Sequence, residues 1–598
     1  MRKQRDPERA EADLRRLLAR RAPSNRVRIL AYAALFGLLA CGQGHVHGGL
    51  GVHPALTGSD DAGPGPRPSA ADGSGTLADG GSAAPLALVS PPRRLRRLSN
   101  REYNNVVRDL LGDASQPAKR FLTDSYQNGY DNGSAGLAVQ SDQVIGYQEA
   151  AEALAANIVA TRLPSLLYGC DPNTQGAAPC LEAFLGGFVA RAYRRPPTAT
   201  ELQRLRDVYQ AGAQPMGGLS AGIQIVLEVI LQSPQFLYRE ELGALDAVPV
   251  AGDDVSLTDY EIASELSFLL TGSIPDGPLW AAVASGNFHT TADFQRETTR
   301  LLGTPGARDT LRAFLHQWMA TDRLSGLTKY PEVYPTFSRA MATSMATELD
   351  QFFDSVLWQG SASLHELLMS NQSFADPTLG ALYGVAIAGP GFQPVLLDPT
   401  IRSGVLSRAG YLAVHADVDS SGPVPRGVFV MNAILCAPPP PPPPNVPPVV
   451  TARDPSLQTL TTRQRFSNHA KTPACAGCHD RIDGIGFGFE AYDGIGAYRA
   501  AEHGNAVDSS GTIIGTGEID GPFRGLTELG TKLVASHHLL DCFARQAYRY
   551  AMGQVEGPDE PIQALTAGFS SDARMTGVLL AIVSNPIFAA RRFEAAGP

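Results

Sequence analysis

Ser99-Asn100-Arg101-Glu102-Tyr103-Asn104-Asn105-Val106-Val107-Arg108-Asp109-Leu110-Leu111-Gly112 contains every signal of one helix, start to stop. Ser99 and Glu102 stand at the capping-box spacing, which satisfies two N–H groups that the first turn leaves without partners. Tyr103, Val106, Val107, Leu110 and Leu111 recur at i, i+3, i+4, i+7 and i+8, a single apolar face. Gly112 stands where a left-handed residue ends the helix. The same grammar returns at Thr198…Glu201, ahead of Leu202, Leu205, Val208 and Tyr209, and at Thr258…Glu261, ahead of Ile262, Leu266, Leu269 and Leu270. A longer helix is expected at 338–358, where Met341, Met345, Leu349, Phe352 and Val356 share a face and the methionines read as core fillers. A late one is expected at 535–553 with Leu539, Phe543, Ala547 and Tyr550. Strand alternation is scarce, its best candidate being a hairpin at 506–522. The expected fold is mainly α: several packed helical subdomains with a small β-hairpin near the C-terminus.

The chain of 598 residues is too long for one core and predicts roughly three to five domains. With 43% hydrophobic and 18% charged residues most of it is globular. A net charge of −10 argues against nucleic acid as a partner, since phosphate neutralisation needs a basic surface. It argues equally against adhesion to anionic lipid through a polybasic patch.

The N-terminus departs from that average. Its first 28 residues carry ten Arg or Lys against four Asp or Glu, and an apolar run Ile29–Ala40 follows. Twelve apolar residues are short for a hydrocarbon core of about 30 Å, and the arrangement is that of a signal peptide. Leu38-Leu39-Ala40-Cys41 resembles a bacterial lipobox, which makes Cys41 the expected lipidation site and the membrane a partner through a lipid anchor. Residues 42–92 hold 12 Gly and 7 Pro and no aromatic residue, a composition expected of a flexible tether. The expected localisation is exported, in the cell envelope, as an outer-membrane lipoprotein.

Cys475-Ala476-Gly477-Cys478-His479 is the strongest chemical signal. C-x-x-C-H is the attachment motif of c-type haem: two thiols three positions apart add to two porphyrin vinyl groups, and the adjoining histidine ligates the iron. Composition alone would produce it about 0.002 times in a chain so poor in cysteine. Two other readings stay open: a short disulfide, or a zinc site completed by His469. Excluding Cys41 and the motif pair, four cysteines remain, an even number suited to disulfides Cys170–Cys180 and Cys436–Cys542 in an oxidising compartment. For the second iron ligand the candidates are His469 and Met552, with His503, His537, His538 and Met575 as further donors. Ile485-Gly486-Phe487-Gly488-Phe489 reads either as a wall against a flat ligand or as a buried strand softened by glycine. Asp480, Asp483 and Asp493 are expected in turns and caps. His415-Ala416-Asp417-Val418-Asp419 reads as a solvated loop, with metal binding the alternative. The seven prolines Pro438–Pro444 predict a polyproline II strap. No nucleophile elbow, P-loop or H-E-x-x-H occurs, so the sequence does not say whether the chain is an enzyme.

Several phrases resemble a family: the large exported multidomain proteins of planctomycetes and myxobacteria, built from conserved domains of unknown function beside a cytochrome-c-like domain. They are Arg96-Arg97-Leu98-Ser99-Asn100-Arg101-Glu102-Tyr103-Asn104-Asn105, Ala192-Tyr193-Arg194-Arg195-Pro196, Ser233-Pro234-Gln235-Phe236-Leu237-Tyr238, Leu266-Ser267-Phe268-Leu269-Leu270 with Ile274-Pro275-Asp276, Pro425-Arg426-Gly427 with the proline strap and the Cys475–Arg499 stretch, and Tyr550-Ala551-Met552-Gly553. Two positions depart from the family, Glu265 and Gln554, where arginine is usual. The resemblance implies export and covalent haem c on Cys475 and Cys478, with His479 as proximal ligand. It also hints at surface polymer metabolism and at an exported companion or redox partner. The expected layout is signal peptide 1–40, tether 41–92, helical domains 93–160, 161–245 and 255–385, a cytochrome-c-like domain 400–500 and a C-terminal helical domain 505–595. Two functions follow. The first is an envelope-anchored haem protein for electron transfer or redox chemistry. The second is a non-catalytic scaffold or binding protein with a structural Cys/His cluster, as a disulfide or around zinc.

Overall fold

The computed structural model describes residues 90–244, 250–440, 459–466, 473–557, 562–569 and 573–594. Cys41, the signal segment, the tether up to residue 89, Pro441–Pro444 and His469 lie outside the described residues. The described chain divides into two compact units, one of residues 203–226 and one of the remainder. The smaller is the facing parts of two helices, where Gly222 lies under the Tyr209 ring.

Helices dominate the larger unit, and the capping signals mark where they begin. Ser99 caps Asn100–Leu111 in a complete capping box, and Gly112 ends it at φ 67°. Thr258 caps Asp259–Thr271 likewise. Thr198 and Glu201 exchange bonds of 2.7 and 3.2 Å. The long helix runs Arg339–Asp354 and continues as one π turn, Ser355–Gln359. The late helix is His537–Met552. It ends at Gly553, where φ is 63° and an added Cβ would lie 2.6 Å from the Arg96 guanidinium, so both conformation and close approach demand glycine.

Strands occur only as two-stranded antiparallel pairs among the described residues. The C-terminal hairpin pairs Ser510–Ile513 with Gly521–Arg524. Two other pairs join distant segments: Arg96–Arg97 with Tyr238–Arg239, and Asp254–Ser256 with Ala590–Arg592. One hydrophobic core takes in Tyr130 and residues from Leu257 to Phe588, and Phe314, Trp318, Phe543, Tyr550 and Tyr130 form an aromatic cluster inside it.

The two long-range strand pairs deliver charge to a buried point. Glu265 accepts hydrogen bonds from Arg96 Nη2 at 2.5 Å and from both Arg239 Nε, at 2.9 Å, and Nη2, while Arg591 Nη2 lies 3.9 Å away. Arg239 also reaches Glu102 at 3.3 Å, and Arg591 reaches Glu241 at 2.6 Å. All six side chains are buried, three cations against three anions from four stretches of chain. Burial by itself would raise the Glu265 pKa; Arg239, Arg96 and Arg591 outweigh it and hold the group at about 2.

Glu265→Gln leaves three buried arginines short of a counter-charge and is expected to cost about 3–5 kcal/mol in the urea transition of this unit. Because the folded pKa lies below the unfolded one, the wild-type contribution is complete above about pH 4.5 and is lost as pH falls toward 2. A cost under about 1 kcal/mol, or a variant with the wild-type acid profile, would show that the cluster is not a desolvated unit.

Candidate functional site

The C-x-x-C-H motif lies on helix Pro473–Gly486. Cys475 is part of that helix, and its side chain is outside what is described; from Ala476 onward the side chains are defined. Cys478 is a half-buried thiol in neither disulfide. One residue on, His479 Nδ1 meets Asp483 Oδ1 at 3.0 Å across one helical turn, with the Asp483 side chain 4% exposed. An imidazole that gives its Nδ1 proton to a carboxylate carries its lone pair on Nε2, the nitrogen that a haem iron takes, and the carboxylate increases its basicity. The donor set therefore fits a c-type haem: Cys475 and Cys478 would hold the porphyrin, and His479 would hold the iron. Asp483 does not serve the turn or cap expected of it. The signal that points to it is the i, i+4 spacing from His479. Asp480 is exposed, and Asp493 does organise a turn, accepting from the N–H groups of Ile495 and Ala497.

What holds this helix explains the nearby motifs. Side chains at Gly427 and Gly486 would overlap the carbonyl groups of Ile482 and Pro423, so helix Pro423–Phe429 packs backbone to backbone on the motif helix. Arg426, fully buried, donates to the carbonyls of Leu412, Phe489, Tyr492 and Asp493 at 2.8–3.3 Å. Gly484 sits against Thr512 O, and Gly488 under the Phe523 ring. Ile485–Phe489 is thus the end of a helix and a 3₁₀ turn, not a strand, and its glycines admit protein, not a flat ligand. Alternating glycine is ambiguous in sequence because close approach looks the same whatever approaches.

The candidate second ligands are held by different elements. Met552 ends a helix fastened to the N-terminal segment: Arg96 donates to Ala551 O, and Asn132 to Tyr550 O. His503 is exposed beside Glu502, His537 pairs with Glu518 and His538 contacts Thr516 O. Met575 is buried in the core. Among the described residues no three His, Cys, Asp or Glu side chains group as a metal site. His415 is not solvated: it is buried, its Nε2 is 2.9 Å from Met319 O, and it packs on Tyr411 and Phe429. The loop beyond it is braced by Lys329, whose amine donates to the carbonyls of Ala416 and Asp417; burial lowers that amine to a pKa of about 7. The two disulfides are Cys170–Cys180 and Cys436–Cys542, the second joining the residue two before the proline run to the late helix. Such bonds persist in oxidising compartments. Among the described residues no helix is long and apolar enough to cross a membrane.

Four models of proteins of unknown function match the chain in order. They are PSD3 (DUF1587) at residues 96–160, PSD5 (DUF1595) at 180–241, PSD4 (DUF1592) at 257–385 and PSCyt3 (DUF1588) at 402–502. No curated protein and no solved structure matches significantly. The C-x-x-C-H motif and the helix that packs on it fall together inside the PSCyt3 segment. Glu265 falls at the start of the PSD4 segment, Arg96 and Glu102 in PSD3, and Arg239 and Glu241 at the end of PSD5, so the buried charge cluster joins three of the matched segments.

Burial lowers the His415 pKa to about 3. A histidine-selective NMR titration should find one imidazole neutral down to about pH 4, and folding stability tied to it should fall as pH drops from about 6.5 toward 3. Titration of His415 near 6.5, or a response of its ring to added zinc, would contradict this burial.

Proposed function

We propose that the chain is an exported, envelope-anchored c-type haem protein that carries one haem on Cys475 and Cys478 with His479 as proximal ligand, for electron transfer or redox chemistry. The observation that carries this reading is the His479–Asp483 bond, which presents Nε2 one residue beyond Cys478 on the same helix. The name PSCyt3 and the two disulfides are consistent with it. When bound, haem supplies one-electron redox chemistry. The residues of the chain hold the imidazole in one tautomer, through Asp483, and hold the motif helix rigid, through Gly427, Gly486 and Arg426. Cys41 as a lipidated first residue would anchor the body, and a link to surface polymer metabolism belongs to the same proposal.

Expressed with a cytochrome-c maturation system, the exported protein should show a Soret band and one covalent haem per chain. Cys475→Ala with Cys478→Ala should abolish the covalent haem. Asp483→Asn should keep the haem and raise its midpoint potential, because a weaker acceptor on Nδ1 makes the imidazole a poorer donor to iron. A colourless protein with stoichiometric zinc would replace this reading with the structural Cys/His scaffold.

Anchoring is tested separately. Cys41→Ser should release the mature protein from the membrane fraction and end labelling by a fatty-acid analogue; unchanged retention would remove the lipid anchor.

A further inference from the structure

At the start of the PSD5 segment the helix Ala177–Phe184 passes through one π turn, Leu185–Val189, and ends as Ala190–Tyr193. The π turn carries two adjacent glycines. A Cβ at Gly187 would meet Cζ, Cε1 and Cε2 of Tyr168 at 2.5–2.7 Å, so one face of that ring lies on bare backbone. The ring is nevertheless 54% exposed, and a Cβ at Gly186 would meet nothing within 4 Å. Tyr168 itself is in the left-handed region, φ 50°, which a bulky side chain rarely adopts. The Cys170–Cys180 disulfide ties the residue two beyond it to the same helix. An aromatic ring is pinned against glycine here, with its other side open to solvent.

One helical turn beyond Gly187 comes Arg191. Its guanidinium lies 5.3 Å from the centre of the Trp280 ring, and its charge acts on the Tyr168 phenol. Trp280 in turn stands 5.3 Å from Tyr260. The four side chains form one strip, half-buried beyond the exposed Tyr168.

The polar ends of this strip are unused. Among the described residues no group accepts a hydrogen bond from Arg191, from Trp280 Nε1 or from the Tyr168 phenol, and none of these atoms is sealed from solvent. The carboxylate whose charge Arg191 feels, Asp276, is already bonded on both oxygens by Arg300, at 2.7 and 2.8 Å. Arg194, Arg402 and Arg408 also lie over aromatic rings, and each of them donates to backbone carbonyls. Arg191 is stacked in the same way and holds no segment in place.

We propose that this strip binds a saccharide bearing uronic acid residues, the C–H face of a pyranose lying on the Tyr168 ring and its carboxylate taking the free N–H fork of Arg191. The negative face of an aromatic ring attracts C–H groups. A planar guanidinium fixed against an indole is oriented to meet a carboxylate with two parallel bonds. Single-stranded nucleic acid also stacks on rings, but it brings a phosphate with each base, and one unpaired arginine in a chain of net charge −10 does not neutralise a run of them. The strip contains none of the haem donors, so it gives the proposed link to surface polymer a substrate class without depending on haem.

The test titrates the purified full-length protein by calorimetry with four probes. Trigalacturonate offers the sugar face and the carboxylates, its methyl ester the face without the charge, triglutamate the charge without the face, and hexathymidylate bases and phosphates. Trigalacturonate should bind saturably and about tenfold or more tightly than each of the others. Arg191→Gln and Tyr168→Ala should each weaken it about tenfold or more while circular dichroism stays that of the wild type. A second readout is tryptophan emission, which should change with trigalacturonate in the wild type and not in Trp280→Phe. Equal binding of the methyl ester or of triglutamate, tighter binding of hexathymidylate, no saturable binding of trigalacturonate, or undiminished affinity in both variants would each overturn the proposal. A colourless protein that binds trigalacturonate in this way would remove the haem and leave the saccharide site standing.

Discussion

A carboxylate has to stay ionised inside this protein, and three arginines from distant parts of the chain have to be there to keep it so. Arg96 and Arg239 stand directly opposite each other in a two-stranded ladder. Like charges in that position repel, and the pair is tolerable only with an anion between them. Glu265 supplies it, taking a bond from each on a single oxygen. Arg591 arrives on the strand paired with Asp254–Ser256 and brings the end of the chain to the same point. Desolvating six charges is expensive, so the arrangement has no half-formed version that is stable. At position 265 this chain has the anion that its buried arginines require.

The same physical device recurs with carbonyl groups in place of carboxylates. Arg194 leaves a helix end at φ 60° and donates to the carbonyls of Gln235, Phe236 and Tyr238. Arg408 does so to Ser370 and Gln372 over the Phe352 ring, and Arg426 to four carbonyls around 412 and 489–493. Each buried guanidinium satisfies carbonyls in short helices and strands and in the turns between them, and so ties separate segments together. Arg194, and Arg426 with Gly427, belong to the short phrases quoted from the sequence. Their wording records how segments join.

Placement of the motif helix follows from that joining. Arg426 and Gly427 share one turn: the arginine fixes the segment beyond the motif helix and the glycine lets the helices touch. His479 thus takes its placement from a neighbouring helix that lies outside the motif.

Helices, caps and the hairpin were legible from the residues because their causes are local. Ser99 with Glu102, Thr258 with Glu261 and Gly112 act within a few positions, and an apolar face needs only its spacing. The cysteine pairing was legible because four thiols in an oxidising compartment have few ways to combine. Other features were decided only in three dimensions. Asp483 is a turn former by composition and a histidine partner by helical register. Gly484, Gly486 and Gly488 announce close approach without saying to what. His415 looks solvated among aspartates and is buried because Tyr411 and Phe429 close over it. Arg96, Arg239, Glu265 and Arg591 are separated by up to several hundred positions, and nothing local distinguishes a charge bound for solvent from one bound for the core. A sequence states what each residue can do nearby; desolvation and charge pairing depend on which distant segment arrives, and only the tertiary structure decides that.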